Sequence, residues 1–85
     1  MNEKQKKAKE KEIEYVVEDE IQTTTEKELT PRQILDKAEI DAETHYLVQM
    51  EGNHRESYKD AMDVPIHMHE KMKFIAIFTG ETPVS

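Results

Sequence analysis

Cysteine is absent from this 85-residue chain, and glycine occurs only twice. Without cysteine, the protein gains no stability from disulfides and has neither a thiolate nucleophile nor a zinc–thiolate site. With so few glycines, it has no Gly-rich loop of the kind that binds phosphate groups. It also lacks an apolar segment approaching the roughly 20 residues of a membrane span, and no secretory apolar stretch follows its Lys-rich start. We therefore expect a cytoplasmic protein.

Charge is distributed unevenly along the chain. The formal net charge is −7, but residues 1–12 contain five Lys and three Glu, which leaves −9 for residues 13–85. An acidic domain repels phosphate backbones and anionic lipids, so nucleic acids and membranes are not expected as partners. Residues 1–12 contain no aromatic or β-branched residue, and we expect a flexible, solvated tail there; a basic binding arm is the alternative.

The length is that of one small domain. A chain of this size buries about 60% of its unfolded surface, which leaves no room for a deep catalytic cavity in its own core. We expect the folded domain over residues 13–79 and a carboxyl-terminal tail over residues 80–85. Paired-carboxylate and Ser-His-Asp signatures are both missing, so neither enzymatic activity nor a cofactor is expected.

Two strands are predicted at the start of the domain. Alternation places Ile13, Tyr15 and Val17 on one face of the first strand, with Glu14, Val16 and Glu18 on the other. Asp19-Glu20 then forms a turn, and the β-branched run from Ile21 to Thr25 suits an antiparallel partner strand. The lack of glycine leaves the turn type open.

A helix is predicted to begin at Pro31. Thr30 is a good N-cap, Pro31 has no N–H to lose at the first helical position, and Gln33 completes a capping box. Helical spacing places Ile34, Leu35 and Ala38 on the side that packs on the sheet.

The second half of the domain is again strand-rich. Tyr46, Val48 and Met50 alternate with Leu47 and Gln49, and a turn at Gly52-Asn53 precedes a short strand from Glu56 to Lys59. Residues 60–71 are irregular, and the nearly continuous apolar run from Met72 to Thr79 is expected to be the central strand. The order ββαββ predicts an α+β fold of the β-grasp type, with one helix over a mixed sheet of four to five strands.

Three segments resemble the bacterial multiubiquitin family of ubiquitin-like proteins. They are Leu29 to Ala38, His45 to Gln49 and Met72 to Ile75, within a similarity that spans roughly residues 13–79. The resemblance implies a protein modifier that is attached through its carboxyl terminus. It also implies three partners: a ubiquitin-activating-like enzyme, a ubiquitin-conjugating-like enzyme and a JAB-type isopeptidase.

A modifier of this kind needs an extended terminus. If the last strand ends at Thr79, Gly80 lies close to the folded body, whereas the six residues from Gly80 to Ser85 can reach about 20 Å. We therefore predict a conjugation tail from Gly80 to Ser85, with Ser85 as the candidate terminus of the chain as given.

A partner-binding face is predicted on the side of the sheet away from the helix. The residues that flank its aliphatic side chains at the same parity are polar, so these side chains should meet solvent. The face consists of Val16, Leu47, Ile75 and Ile77. Alternatively, it is covered by the amino-terminal tail, by residues 60–71 or by a second copy of the chain.

Other candidate sites are weaker. His67 and His69 share a strand face, yet solvated histidines are favoured over a metal site because no Cys joins them. The methionines are interpreted as core residues before a binding surface, and Thr23 to Thr25 as strand residues before nucleophiles.

Two other functions remain open at the level of sequence. One is a non-covalent adaptor that binds a partner through the same apolar face. The other is a sulfur carrier, which fits less well because such carriers generally end in Gly-Gly.

Overall fold

The computed structural model describes residues 11–80. The predictions for residues 1–10 of the amino-terminal tail and for residues 81–85 of the conjugation tail lie outside this range. The described residues form a mixed α+β fold with one helix. Its elements are β1 (Ile13–Val17), β2 (Glu20–Thr24), β3 (Glu28–Leu29), α1 (Pro31–Lys37), β4 (His45–Glu51), β5 (His54–Ser57), β6 (Ile66–His67) and β7 (Met72–Phe78).

Five strands form one mixed sheet in the order β2-β1-β7-β4-β5. β1 and β7 are parallel, and the other neighbouring pairs are antiparallel. The five strands of this sheet and the helix follow one another as ββαβββ, which is the predicted order ββαββ with one more strand, as allowed by the predicted four to five strands. The sequence did not indicate β3 and β6, which form a separate two-stranded sheet, because two-residue strands are too short to show an alternating pattern.

The last strand is central, as predicted. β7 lies between β1 and β4; Met72 and Phe74 are buried on its helix side, while Ile75 and Ile77 on its other side are partly exposed. Met72 and Phe74 point into the core on the helix side, where they pack with Tyr15, Val17 and Leu35.

The helix begins as predicted. The Gln33 backbone N–H donates to Thr30 Oγ1 at 3.1 Å, and the Thr30 N–H donates to Gln33 Oε1 at 2.9 Å. Ile34 and Leu35 are completely buried against the sheet, and Ala38 packs at the margin of the same core. Local capping therefore fixes where the helix starts, and its apolar side fixes which way it faces.

The helix ends after two turns in a Schellman motif. The Ile40 N–H donates to the Leu35 carbonyl at 2.9 Å, and the Glu39 N–H donates to the Asp36 carbonyl at 3.0 Å. Glu39 occupies the left-handed position with φ 62°, where glycine is preferred, and Ile40 folds back onto the core.

Replacing Glu39 with Gly should raise the free energy of unfolding by about 0.5 to 1 kcal/mol, since it removes a side chain from a left-handed conformation and an anion from the helix carboxyl end. Chemical denaturation would measure the change. Lys37→Gly, inside the last turn, is the matched control and should lower stability by a similar amount. If Glu39→Gly and Lys37→Gly lower the free energy of unfolding equally, Glu39 does not occupy the left-handed position of the helix cap.

The first hairpin turn lies one residue earlier than predicted. Glu18 and Asp19 form it, with φ values of 51° and 67°, the combination of a type I′ turn. Glu18 Oε2 accepts a hydrogen bond of 2.7 Å from the Ala76 N–H, and the Glu18 N–H donates to the Phe74 carbonyl. Glu18 thus continues the hydrogen bonding between β1 and β7, which local turn propensity does not reveal.

The core contains one polar atom without a partner. Tyr15 is 1% exposed and packs edge-on against Phe74, but its hydroxyl has no hydrogen-bond partner among residues 11–80. Burial raises the pKa of this hydroxyl. An unsatisfied buried hydroxyl destabilises the folded state, because water would hydrogen-bond to it in the unfolded chain.

Tyr15→Phe should therefore leave the free energy of unfolding unchanged or raise it by about 1 kcal/mol. Because the folded protein binds this proton more tightly than the unfolded chain, the stability of the wild type does not depend on Tyr15 ionisation below the unfolded tyrosine pKa of about 10 and falls as pH rises through the higher folded pKa. The variant should therefore lose less stability than the wild type in alkaline solution. Urea denaturation across that range measures both effects, and destabilisation at neutral pH would show that the hydroxyl is hydrogen-bonded.

Candidate partner-binding face and carboxyl-terminal exit

Strand register assigns each side chain of the sheet to one of two faces. The helix side contains Tyr15, Val17 and Phe74, which belong to the core. The residues between them point to the opposite side, which we call the outer face. Val16, Ile75 and Ile77 lie there, as predicted, and each is partly exposed.

The prediction for Leu47 is wrong. Leu47 pairs with Ala76 on the helix side and is 0% exposed, at the centre of the core. Its polar neighbours at the same parity suggested a solvent-exposed position. However, Gln49 accepts a hydrogen bond from the Tyr58 hydroxyl at 3.1 Å, and His45 Nδ1 lies 3.0 Å from Thr44 Oγ1. Polar flanks at the ends of a strand therefore do not show that its centre faces solvent.

The outer face is larger than the sequence indicated. Tyr46 pairs with Ile77, Val48 with Ile75, and Ile21 with Val16. Val48 is 7% exposed because its neighbours surround it, whereas Ile21, on the edge strand β2, is 66% exposed. These residues follow directly from the corrected parity, since an inward Leu47 turns Tyr46 and Val48 outward. The apolar outer face consists of Val16, Ile21, Tyr46, Val48, Met50, Ile75 and Ile77.

Residues 60–71 do not cover the outer face. Ile66 and Met68 from this segment are buried in the core on the helix side, and Met62 packs against the same core. The segment is also tied to the start of the helix, because the Arg32 N–H donates to the Met62 carbonyl at 3.1 Å. One of the predicted alternatives for the outer face is thereby excluded.

An ion pair connects residues 60–71 to the helix. Arg32 Nε lies 2.9 Å from Asp63 Oδ1, and a second nitrogen lies 3.4 Å from Oδ2. Arg32 lowers the pKa of the Asp63 carboxyl, mainly through this hydrogen bond. The ion pair therefore stabilises the attachment of residues 60–71 to the helix at pH values above the ordinary aspartate pKa. This contribution is lost as pH falls through the lowered pKa of Asp63.

The methionine and histidine interpretations agree with the structure in most positions. Met68 and Met72 are core residues, whereas Met50 lies on the outer face. His67 and His69 are exposed. Within residues 11–80, no group of three or more His, Cys, Asp or Glu side chains could hold a metal ion.

The chain leaves the sheet at the end of β7. The Thr79 N–H donates to the Thr44 carbonyl at 2.8 Å, which holds the last residue before the tail. Phe78 is 51% exposed, and its ring centroid lies 5.5 Å from that of His45. Gly80 follows at φ 87°, exposed, with open space where a side chain would begin. Ser85, the other predicted tail residue, lies outside the described range.

Comparisons with known proteins return no match: no family model fits the chain, and neither a curated protein nor a solved structure is found to be similar. Across residues 11–80, the one helix is too short to cross a membrane.

Proposed function

We propose that this protein is a β-grasp, ubiquitin-like modifier of the bacterial multiubiquitin type. The observation that supports it best is the strand order β2-β1-β7-β4-β5, in which the final strand is central and parallel to the first. In this arrangement the described chain ends just beyond the central strand, at the exposed Gly80. A terminus that begins there can extend away from the body.

The two regions have separate roles in this proposal. The outer face binds partner proteins without forming covalent bonds. The tail from Gly80 to Ser85 supplies the carboxylate that reacts with ATP, forming an acyl adenylate and releasing pyrophosphate. A thiol of the activating-like enzyme then displaces AMP to give a thioester. The conjugating-like enzyme accepts the acyl group on its own thiol, and an acceptor nucleophile on the target finally displaces that thiol.

The proposal is tested by adenylation and thioester formation. The full chain is incubated with ATP, Mg²⁺ and a ubiquitin-activating-like enzyme of the bacterial multiubiquitin type, and intact mass is measured with and without a thiol reductant. We expect an adenylate and a reductant-sensitive adduct with the enzyme. Both should be lost completely when residues 81–85 are deleted, since the reacting carboxylate then lies against the folded body.

The control is an outer-face variant, Ile77→Asp, which keeps the tail intact and should still be adenylated, though more slowly if the enzyme contacts that face. An unchanged mass for the wild type, together with retained binding of the enzyme, would replace this proposal with the non-covalent adaptor. The partly exposed outer face favours that second function, because an adaptor requires the face and makes no use of the tail.

A further inference from the structure

The outer face carries the opposite charge to the chain as a whole. Its residues form rows of cross-strand neighbours that run through the sheet from β2 to β5. In one row Ile21 pairs with Val16, Val16 with Lys73, Lys73 with Met50 and Met50 with Arg55. Neighbours in such a row have Cβ atoms about 5 Å apart, so two cations flank the apolar side chains directly.

A third cation lies at the end of another row. Ile77 pairs with Tyr46, and the Lys59 ammonium lies over the Tyr46 ring at 5.5 Å from its centroid. Lys59 is exposed apart from this contact, so its charge remains available to a partner. Arg55 and Lys59 therefore line the β5 margin of the outer face.

The charged residues of β5 point to different sides of the sheet. Arg55 pairs with Met50 on the outer face, whereas His54 and Glu56 have the opposite parity and contact each other at 3.5 Å. Among the strand positions of residues 11–80 that point outward, the one carboxylate is Glu14, paired with Thr23 on β2. The Glu18 carboxylate, in the turn after β1, also lies beside the outer face, where it accepts a hydrogen bond from the Ala76 N–H between Ile75 and Ile77. The carboxylates beside the outer face thus lie on its β1 side, whereas the cations Lys73, Arg55 and Lys59 lie on its β7 to β5 side.

We infer that the outer face binds an acidic segment of a partner protein, one that presents aliphatic side chains to Met50, Ile75 and Ile77 and carboxylates to Arg55, Lys59 and Lys73. This inference rests on the binding role proposed for the outer face and not on conjugation. It reverses the expectation from net charge, since a chain of −7 would by itself favour basic partners.

Three other occupants fit the charges less well. Residues 1–12 contain five Lys and sum to +2, so the amino-terminal tail would bring cations to a cationic face. A second copy in a symmetric dimer would set the same three cations against themselves. An extended polyanion such as a lipid surface would also meet the acidic remainder of the chain, whereas a short acidic segment contacts the outer face alone.

The test is a selection from a phage-displayed library of random peptides against the full chain. We expect the selected peptides to combine aliphatic residues with net negative charge, and a synthetic copy to perturb the amide NMR signals of Met50, Ile75 and Ile77. The charge-reversed variant Arg55→Glu/Lys59→Glu should weaken that peptide by about tenfold or more. The control Lys27→Glu/Lys37→Glu makes the same change of net charge away from the outer face and should leave the affinity within about twofold.

Several results would overturn the inference. Selected peptides that are neutral or basic, or an affinity that Arg55→Glu/Lys59→Glu leaves unchanged, would remove the charge argument. A third result concerns lipid. If no acidic peptides are selected, and the wild type sediments with phosphatidylserine vesicles while Arg55→Glu/Lys59→Glu does not, the outer face binds lipid. Tighter peptide binding after deletion of residues 81–85 would identify the chain's own terminus as the occupant. Unchanged binding by that truncated chain supports the inference independently of conjugation, which the truncation abolishes.

Discussion

Leu47→Asp is expected to unfold the protein. Leu47 is completely buried between the helix and the sheet, so the substitution removes about 2 to 5 kcal/mol of aliphatic packing and places a carboxylate in the core. A domain of this size has roughly 4 to 13 kcal/mol of stability in total, at about 0.05 to 0.15 kcal/mol per residue. The combined cost exceeds most of that range, and circular dichroism should show the loss of cooperative thermal unfolding.

Ile77→Asp is the matched control on the neighbouring strand. Ile77 is partly exposed on the outer face, where a carboxylate remains hydrated, so the free energy of unfolding should change by about 1 kcal/mol or less. Binding of a partner through the outer face should nevertheless weaken. The result that contradicts the assigned parity is the reverse one, in which Leu47→Asp folds and Ile77→Asp does not.

Phe74→Ala should cost about 3 to 5 kcal/mol, the second largest effect. Phe74 is 0% exposed, lies on the central strand and packs edge-on against Tyr15. Because its neighbours are themselves closely packed, they cannot move to fill the cavity that Phe74→Ala would leave. Urea denaturation at neutral pH would measure the loss, provided that the variant retains a folded baseline.

Phe78→Ala is the comparison within the same strand. Phe78 has the same parity as Phe74 but lies beyond the helix, 51% exposed against His45. Its loss should cost less than about 1.5 kcal/mol, because part of the ring already meets water. Equal losses at positions 74 and 78 would mean that the core extends to the end of β7.

The helix shows which features sequence predicts well. Thr30, Pro31 and Gln33 act on the backbone within one turn, so the position of the helix start follows from neighbouring residues alone. The strands β1 and β7 were also predicted to within one residue at either end, because β1 alternates clearly and β7 is apolar throughout. In each case the signal and the structure involve the same few residues.

The candidate binding face shows where sequence prediction fails. β4 has apolar residues at both parities, so alternation gives two equivalent assignments, and its polar flanks favoured the wrong one. Gln49 accepts a hydrogen bond from Tyr58, which lies nine residues further along the chain and is brought near it by the pairing of β5 with β4. The first turn was predicted one residue too late for a similar reason. The Glu18 carboxylate binds the Ala76 N–H, which is 58 residues away in the sequence.

The sequence by itself determined the acidic net charge, the start of the helix, the extent of the central strand and the absence of cysteine. The tertiary structure decided which side of β4 faces the core, which residues compose the outer face, and where the cations of an acidic chain collect. Capping and alternation are local properties of the chain. A sheet face, however, is assembled from five strands whose register depends on contacts between distant residues.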